Sequence, residues 1–237
     1  MPLALLALTI GAFAIGTTEF VIVGLVPTIA EQLAISLPSA GLLVSIYALG
    51  VAIGAPVLTA LTGRMPRKQL LLALMVLFTA GNLLAWQAPG YGTLIMARLL
   101  TGLAHGVFFS IGSTIATSLV PKEKAASAIA IMFGGLTVAL VTGVPFGTFI
   151  GQHFGWRETF LAVSILGVIA LISSLILVPN NIPGRAGASL RDQMKVLTHP
   201  RLLMIYAITG ALTFAAVSKT ALMESVPTQL TAGRAKL

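Results

Sequence analysis

The sequence predicts an all-α polytopic membrane protein, and three observations lead to this class. The 237 residues are 57% hydrophobic and only 8% charged, and their mean hydropathy is +1.01. The hydrophobic residues form runs close to the ~20 residues that a helix needs to cross the core of a bilayer. The charged residues fall mostly between these runs, where loops would connect the helices. This composition excludes an ordinary soluble domain.

Seven apolar spans follow one another, and turn-forming residues such as Pro38, Pro89 and Gly90 separate them. The predicted spans are residues 3–30, 39–62, 69–87, 91–120, 125–150, 159–178 and 202–218. The first six spans form one unit, residues 1–178. A cytoplasmic linker, residues 179–201, precedes the seventh span, and residues 219–237 form a polar tail outside the membrane. In the linker, a helix on the membrane surface and a solvated segment with chance periodicity are both open interpretations.

The distribution of Lys and Arg predicts the orientation of the spans. Loops after even-numbered spans contain nine basic residues, whereas the opposite loops contain only Arg157. The nine are Arg64, Arg67, Lys68, Lys122, Lys124, Arg185, Arg191, Lys195 and Arg201. Because cytoplasmic loops are enriched in Lys and Arg, we expect the N-terminus to be cytoplasmic. The net charge of +8 is therefore interpreted as an orientation signal and not as a nucleic-acid-binding surface.

The fifth span contains Gly143, Gly147 and Gly151 at four-residue spacing, with Pro145 between them. Glycines four residues apart share one helix face and allow another helix to approach closely. In lipid, a neighbouring helix can satisfy the carbonyl that a proline frees. Two interpretations remain open: the motif serves packing only, or the helix also bends during function.

Several classes of chemistry are excluded by missing residues. The absence of cysteine excludes disulfides, thiolate metal sites and a cysteine nucleophile. No phosphate-binding loop, serine nucleophile elbow or zinc-protease motif is present. His105, His153 and His199 lie in different segments without metal-ligand spacing. We therefore predict neither an enzyme nor an ATP-driven pump, and we expect no cofactor and no metal.

Three ionisable residues lie inside the predicted spans: Glu19 in span 1, and Arg98 and His105 in span 4. Such residues usually face the bundle interior or an aqueous cavity. Glu19 is predicted to bind a proton or cationic substrate, or else to have a structural role, in a pair with Arg98 or in hydrogen bonds to threonine hydroxyls. Arg98 is a candidate for the cavity or proton path, and His105 is either functional or a polar contact at a helix crossing. Tyr47 and Asn82 are further candidates to line a cavity.

A weak internal repeat links the two halves of the six-span unit. Gly54-Ala-Pro56 and Gly143-Val-Pro145 lie 89 residues apart, in the second span of each half. Spans 1 and 4, the first spans of each half, carry the intramembrane charges. The pattern predicts two inverted three-helix repeats, an arrangement found in many transporters.

Five motifs together resemble the N-terminal part of a major facilitator superfamily transporter, up to about residue 215. The resemblance looks closest to the drug–proton antiporter branch, the arabinose-efflux-permease-like proteins. The motifs are Glu19-Phe20 with Gly24 and Pro27, the 63–68 loop, Arg98 with Gly102 and Gly106, Gly143 through Gly151, and Gly155-Trp156-Arg157. In the 63–68 loop, Arg64, Arg67 and Lys68 match the basic positions of the family's cytoplasmic gating loop. Gly63 replaces the family's Asp there.

The resemblance implies a transporter that exports small, drug- or sugar-like molecules by proton-coupled alternating access in a bacterial inner membrane. Its expected partners are a small-molecule substrate, protons and the lipid bilayer, with no nucleic acid. The helix 4 Arg of the family is implicated in proton transfer, which assigns that role to Arg98. The family has twelve helices in two halves, so we expect an incomplete chain that lacks its second half or self-associates.

Three alternatives to this function remain. The first is a facilitator without proton coupling, in which Glu19 is a substrate contact or a structural residue. The second is a truncated fragment without transport activity. The third is a seven-helix retinal protein with Lys219 as its Schiff-base lysine, which the position of Lys219 at the end of a marginal span disfavours.

Overall fold

The computed structural model describes residues 2–62 and 65–182, together with Pro200 and Met204. The chain divides into two compact units, Met1–Gly187 and Ala188–Leu237, and the fold described below is that of the first. Several predictions lie outside the described residues: the linker helix, the seventh span, the polar tail and the Gly63–Arg64 part of the gating loop.

The described chain is helical throughout and contains no strand. Its elements are α1 (Leu3–Gln32), α2 (Leu37–Leu61), α3 (Arg67–Trp86), α4 (Tyr91–Ser118), a 3-10 turn (Lys122–Lys124), α5 (Ala125–Val138), a π-helical turn (Ala139–Gly143), α6 (Val144–Phe154) and α7 (Trp156–Leu177). The fifth predicted span thus comprises α5, the π turn and α6, and the sixth is α7. Six helical segments in this part of the chain are long and apolar enough to cross a membrane. The predicted all-α polytopic class is confirmed.

The helices pack in pairs that link the two halves of the unit. Helix α2 packs on α4, while α1 packs on α5 and α6, and α3 packs on α7. The second span of each half therefore lies against the first span of the other half. This exchange is what two three-helix repeats related by a two-fold axis would produce.

Glycines bring α2 and α4 into backbone contact. A Cβ on Gly50 would lie 2.7 Å from the Leu99 carbonyl oxygen, and one on Gly54 would lie 2.7 Å from that of Leu103. From the other side, a Cβ on Gly102 would collide with the Tyr47 carbonyl oxygen. Only glycine permits this separation, which places the Tyr47 region of α2 directly on α4.

A second glycine seam joins α1 to the fifth span. Added Cβ atoms on Gly135, Gly143, Gly147 and Gly151 would meet Thr9, Thr17, Val21 and Leu25, in that order. The sequence offset between the members of each pair is constant, so the two spans run parallel in a fixed register. Three of the four predicted motif residues, Gly143, Gly147 and Gly151, are buried in this seam, whereas Pro145 is exposed beside it. Pro145 is the second residue of α6, just after the π turn in which the α-helical hydrogen bonds are interrupted.

Candidate functional site

Four polar side chains from three helices meet in the membrane-spanning part of the unit. We call them the Glu19 cluster: Glu19 from α1, Tyr47 from α2, and Arg98 and His105 from α4. Glu19 lies near the middle of α1, while Arg98 and His105 are two turns apart on one face of α4. The α2–α4 glycine contacts bring Tyr47 within reach of both α4 residues. The sequence selected all four residues, and the structure brings them together.

His105 is the direct neighbour of the Glu19 carboxylate. Glu19 Oε2 lies 3.8 Å from His105 Nδ1, with side chains 27% and 13% exposed respectively. The same Nδ1 lies 2.9 Å from the Tyr47 hydroxyl oxygen, a hydrogen-bond distance in which either atom is the donor. One imidazole nitrogen thus faces a carboxylate and a phenol at once.

Arg98 is buried, at 1% exposed, and is held by the backbones of two other helices. Its Nη1 donates to the Thr18 carbonyl oxygen at 3.0 Å, and its Nε donates to the Leu43 carbonyl oxygen at 3.4 Å. The guanidinium carbon lies 4.1 Å from the Tyr47 ring centroid, a cation–π contact. Within residues 2–62 and 65–182, Nη2 has no hydrogen-bond partner.

Glu19 and Arg98 lie near each other, as predicted, but Arg98 reaches the main chain beside Glu19 and not the carboxylate itself. The Arg98 guanidinium bonds the carbonyl of Thr18, the residue before Glu19, and the two charges are close enough to interact electrostatically. The closest basic side chain to the carboxylate is nevertheless His105. The sequence contained both residues but no signal that would rank one partner above the other.

Asn82 joins the cluster through Thr18. The Thr18 hydroxyl donates to Asn82 Oδ1 at 2.8 Å, and Asn82 Nδ2 donates to the Phe78 carbonyl oxygen at 2.9 Å. Asn82 is 1% exposed, so these hydrogen bonds connect α3 to α1 inside the bundle. The sequence contains no signal that distinguishes Thr18 from the neighbouring Thr17.

Of the basic residues after α2, Arg67 and Lys68 are described, and both lie in the first turn of α3. Lys68 Nζ donates to the Leu175 carbonyl oxygen at 2.8 Å, near the C-terminal end of α7. A positive charge at this end of a helix also interacts favourably with the helix dipole. Arg67 begins α3, and Arg64 lies outside the described residues. On the other side of the unit, Arg157 Nη2 donates to the Ala88 carbonyl oxygen at 2.8 Å and stacks over the Trp156 ring.

A separate apolar cavity of about 520 Å³ lies between α1, the π turn, α6 and α7. Three of its lining residues carry hydroxyls: Thr17, Thr142 and Thr159. Each hydroxyl donates to a main-chain carbonyl, so the cavity presents no free polar donor. Glu19 is not among its lining residues.

The six membrane-capable helical segments, with ionisable side chains inside them and glycine seams between them, define a polytopic helical membrane protein. Residues 8–233 match the family model of the Major Facilitator Superfamily, and the chain belongs to this family. The predicted resemblance is confirmed. The family consists of transporters, which agrees with the expectation that the protein is not an enzyme.

Two relatives and one solved structure show the extent of this similarity. The chain is 57% identical over 207 residues to the "Uncharacterized MFS-type transporter YtbD" of Bacillus subtilis, covering 87% of this chain and 52% of the relative. It is 37% identical over 224 residues to a "Chloramphenicol resistance protein" of Streptomyces lividans, covering 91% and 56%. The proton:xylose symporter XylE, solved with 6-bromo-6-deoxy-D-glucose, matches with a TM-score of 0.66 and 17% identity over 73% of this chain and 44% of XylE. The chain thus spans about half the length of these proteins, and the XylE match supports the fold alone.

Proposed function

We propose that the protein exports small molecules across the bacterial inner membrane in exchange for protons, with Glu19 as the proton-binding group. The observation that carries the proposal is the Glu19 cluster. A carboxylate placed near the middle of a membrane-spanning helix is costly and is normally kept for function. At 27% exposed, it is accessible to protons while it remains in contact with His105.

The similarity to a chloramphenicol resistance protein supports export of a drug-like compound as the direction and substrate class. Arg98 and Tyr47 contribute by holding the local geometry. Arg98 pins the α1 backbone beside Glu19 to α4, and Tyr47 supplies a hydroxyl on α2. Protonation of Glu19 removes a negative charge from the place where α1, α2 and α4 meet. We propose that this changes the relative stability of the two conformations between which the transporter alternates.

Alternating access supplies the mechanism at the scale of the protein. Two six-helix halves rock about a central site, so that substrate and proton bind from opposite sides in turn. The unit described here contributes one wall of that site. The second wall comes from another six-helix half, in the same protein or in a second copy. We place the N-terminus and the basic loops in the cytoplasm, because of the nine-to-one distribution of Lys and Arg.

The test is a Glu19→Gln substitution in the intact transporter, reconstituted in proteoliposomes. Gln keeps the shape of the side chain but carries no titrating proton. Because Glu19 is proposed to hold the coupled proton, we expect substrate movement driven by a pH gradient to be abolished. Substrate exchange without a gradient should continue.

The matched control is Glu31→Gln, the same substitution at the exposed end of α1. It should leave both activities unchanged. Gradient-driven transport that survives in the Glu19→Gln protein would leave Glu19 a structural role and favour the uncoupled facilitator.

A further inference from the structure

We propose that His105 is a proton shuttle that passes protons to Glu19, and that Tyr47 responds to the result. The proposal rests on the proposed role of Glu19 and names the residue that serves it. Nδ1 of His105 lies 3.8 Å from Glu19 Oε2 and 2.9 Å from the Tyr47 hydroxyl oxygen. A histidine that only filled a polar gap at a helix crossing would not need a carboxylate and a phenol at the same nitrogen.

The imidazole ring is held in place from several sides. Tyr47 meets it edge-on with 5.7 Å between ring centroids, and Phe109 lies 4.9 Å away by the same measure. Phe109 in turn packs on Phe133 of α5. The titratable groups around His105 are Glu19 from α1, Tyr47 from α2 and Arg98 on its own helix. Packing fixes the ring, so a change in its proton position is passed to its hydrogen-bond partners.

The transfer proceeds between two neutral forms of the imidazole. When Glu19 is ionised, the neutral imidazole carries its hydrogen on Nδ1. This N–H group points between the Glu19 carboxylate and the Tyr47 hydroxyl oxygen. A hydronium ion then gives its proton to Nε2, where a new N–H bond forms and a water molecule is released. The Nδ1–H bond breaks, and an O–H bond forms at Glu19. The net change is one solvent proton, delivered by hydronium and held on the carboxyl. The Nδ1–Oε2 separation needs to shorten by about 1 Å to reach hydrogen-bond distance during the transfer.

Tyr47 changes its role in the same step. With Nδ1 protonated, the Tyr47 oxygen accepts a hydrogen bond. With Nδ1 bare, the Tyr47 hydroxyl donates to it at the same 2.9 Å separation. The reversal takes place where α2 and α4 are in backbone contact. The protonation state of Glu19 on α1 thereby changes the hydrogen bond between Tyr47 on α2 and His105 on α4, although these two residues keep the same contact.

Nitrogen NMR of the chain in lipid nanodiscs tests the shuttle without requiring transport. The sequence has three histidines, so labelling with 15N-histidine gives few signals, and a His105→Asn variant assigns the ring of interest. As Glu19 gains its proton on acidification, we expect the His105 proton to move from Nδ1 to Nε2. The Glu19→Gln variant should lose this pH dependence, and Glu31→Gln should keep it.

A transport arm separates the shuttle from a structural role. Asn at position 105 can keep the hydrogen bond to Tyr47 but cannot exchange a proton. In the intact transporter, His105→Asn should lower the rate of gradient-driven transport by about 100-fold, as loss of a positioned proton-transfer group does. Substrate exchange without a gradient should continue. A His105 ring whose proton stays on one nitrogen while Glu19 titrates, or full gradient-driven transport by His105→Asn, would overturn the shuttle alone. Retained coupling in Glu19→Gln would overturn the proposed function instead.

Discussion

At the scale of single residues, Thr18 is the connection on which the polar interior depends. Its carbonyl accepts from the buried Arg98 guanidinium, and its hydroxyl donates to Asn82. Two helices are thus joined to α1 at one residue, directly before Glu19. Because a buried guanidinium is costly unless its donors are bonded, this carbonyl contact fixes where Arg98 and Glu19 stand relative to each other.

The role of Thr18 predicts an unequal effect of the same substitution at two threonines. Thr18→Val removes the bond to Asn82 and leaves the amide oxygen unpaired. Thr79→Val removes only a bond to the Met75 carbonyl of its own helix, and both residues are buried. We expect Thr18→Val to lower the free energy of unfolding by about 1 kcal/mol more than Thr79→Val does, within the range for hydrogen bonds between membrane helices. Reversible unfolding in mixed micelles measures the difference. Equal losses of unfolding free energy in the two variants would contradict the proposed importance of the Thr18–Asn82 hydrogen bond.

The candidate site could be predicted from the sequence by residue type but not by contact. Glu19, Arg98 and His105 stood out because ionisable side chains are rare inside membrane spans. Tyr47 was one of several polar or aromatic candidates, and only the α2–α4 glycine contact brings it to His105. Asn82 was a candidate to line a cavity, and the sequence held no signal for its hydrogen bond to Thr18. Contacts of this kind depend on helix rotation and tilt, which spacing along one helix does not determine.

At the scale of elements, glycine determines which helices meet. The seam between α1 and the fifth span is formed by Gly135, Gly143, Gly147 and Gly151. In lipid there is little hydrophobic drive for helices to associate, so close backbone packing supplies much of the attraction. The π turn lies between Gly135 and Gly147, so the seam continues on both sides of the irregular segment. Whether the span bends there during transport remains a prediction.

Two neighbouring glycines allow a test of this seam. A Cβ on Gly135 would overlap the Thr9 carbonyl oxygen, whereas one on Gly134 would meet nothing within 4 Å. Gly135→Ala must therefore push α1 and α5 apart, and we expect it to cost about 1–3 kcal/mol of unfolding free energy, as overpacking does. Gly134→Ala should be neutral or slightly stabilising, because alanine favours helix by up to about 1 kcal/mol. Equal stability of the two variants would show that the α1–α5 contact is not close.

The helix bounds were predictable to within a few residues, and the exceptions have local causes. The sixth span was predicted to begin at residue 159, but α7 begins at Trp156. The charges of Arg157 and Glu158 made these residues look like a loop, although both side chains bond to the α3 end of the bundle. The break itself is Gly155, whose φ of 101° suits glycine. The π turn was not predicted, because its residues are as apolar as those of the helices around it.

At the scale of the whole molecule, the alternation of spans fixes which loops share a side. The end of α1 and the end of α6 belong to one side of the membrane, and the loops after α2 and α4 belong to the other. Apart from Arg157, the basic residues of these loops fall on the second side. Membership of the superfamily does not by itself decide which side is cytoplasmic, so orientation rests on the bias in Lys and Arg.

Single-cysteine labelling tests the orientation, because the native chain has no cysteine to react. Ser36, Met65, Glu123 and Gln152 are all exposed in the structure, so a difference in their reactivity reports sidedness and not burial. In intact cells, a membrane-impermeant thiol reagent should label Cys at Ser36 or Gln152 and leave Cys at Met65 or Glu123 unlabelled. After permeabilisation all four positions should react, which controls for local accessibility. The contrary outcome is labelling of Cys at Met65 and Glu123 in intact cells, with Cys at Ser36 and Gln152 protected. It would show that the topology is inverted and that the basic loops lie outside. The nine-to-one distribution of Lys and Arg would then not report orientation in this protein.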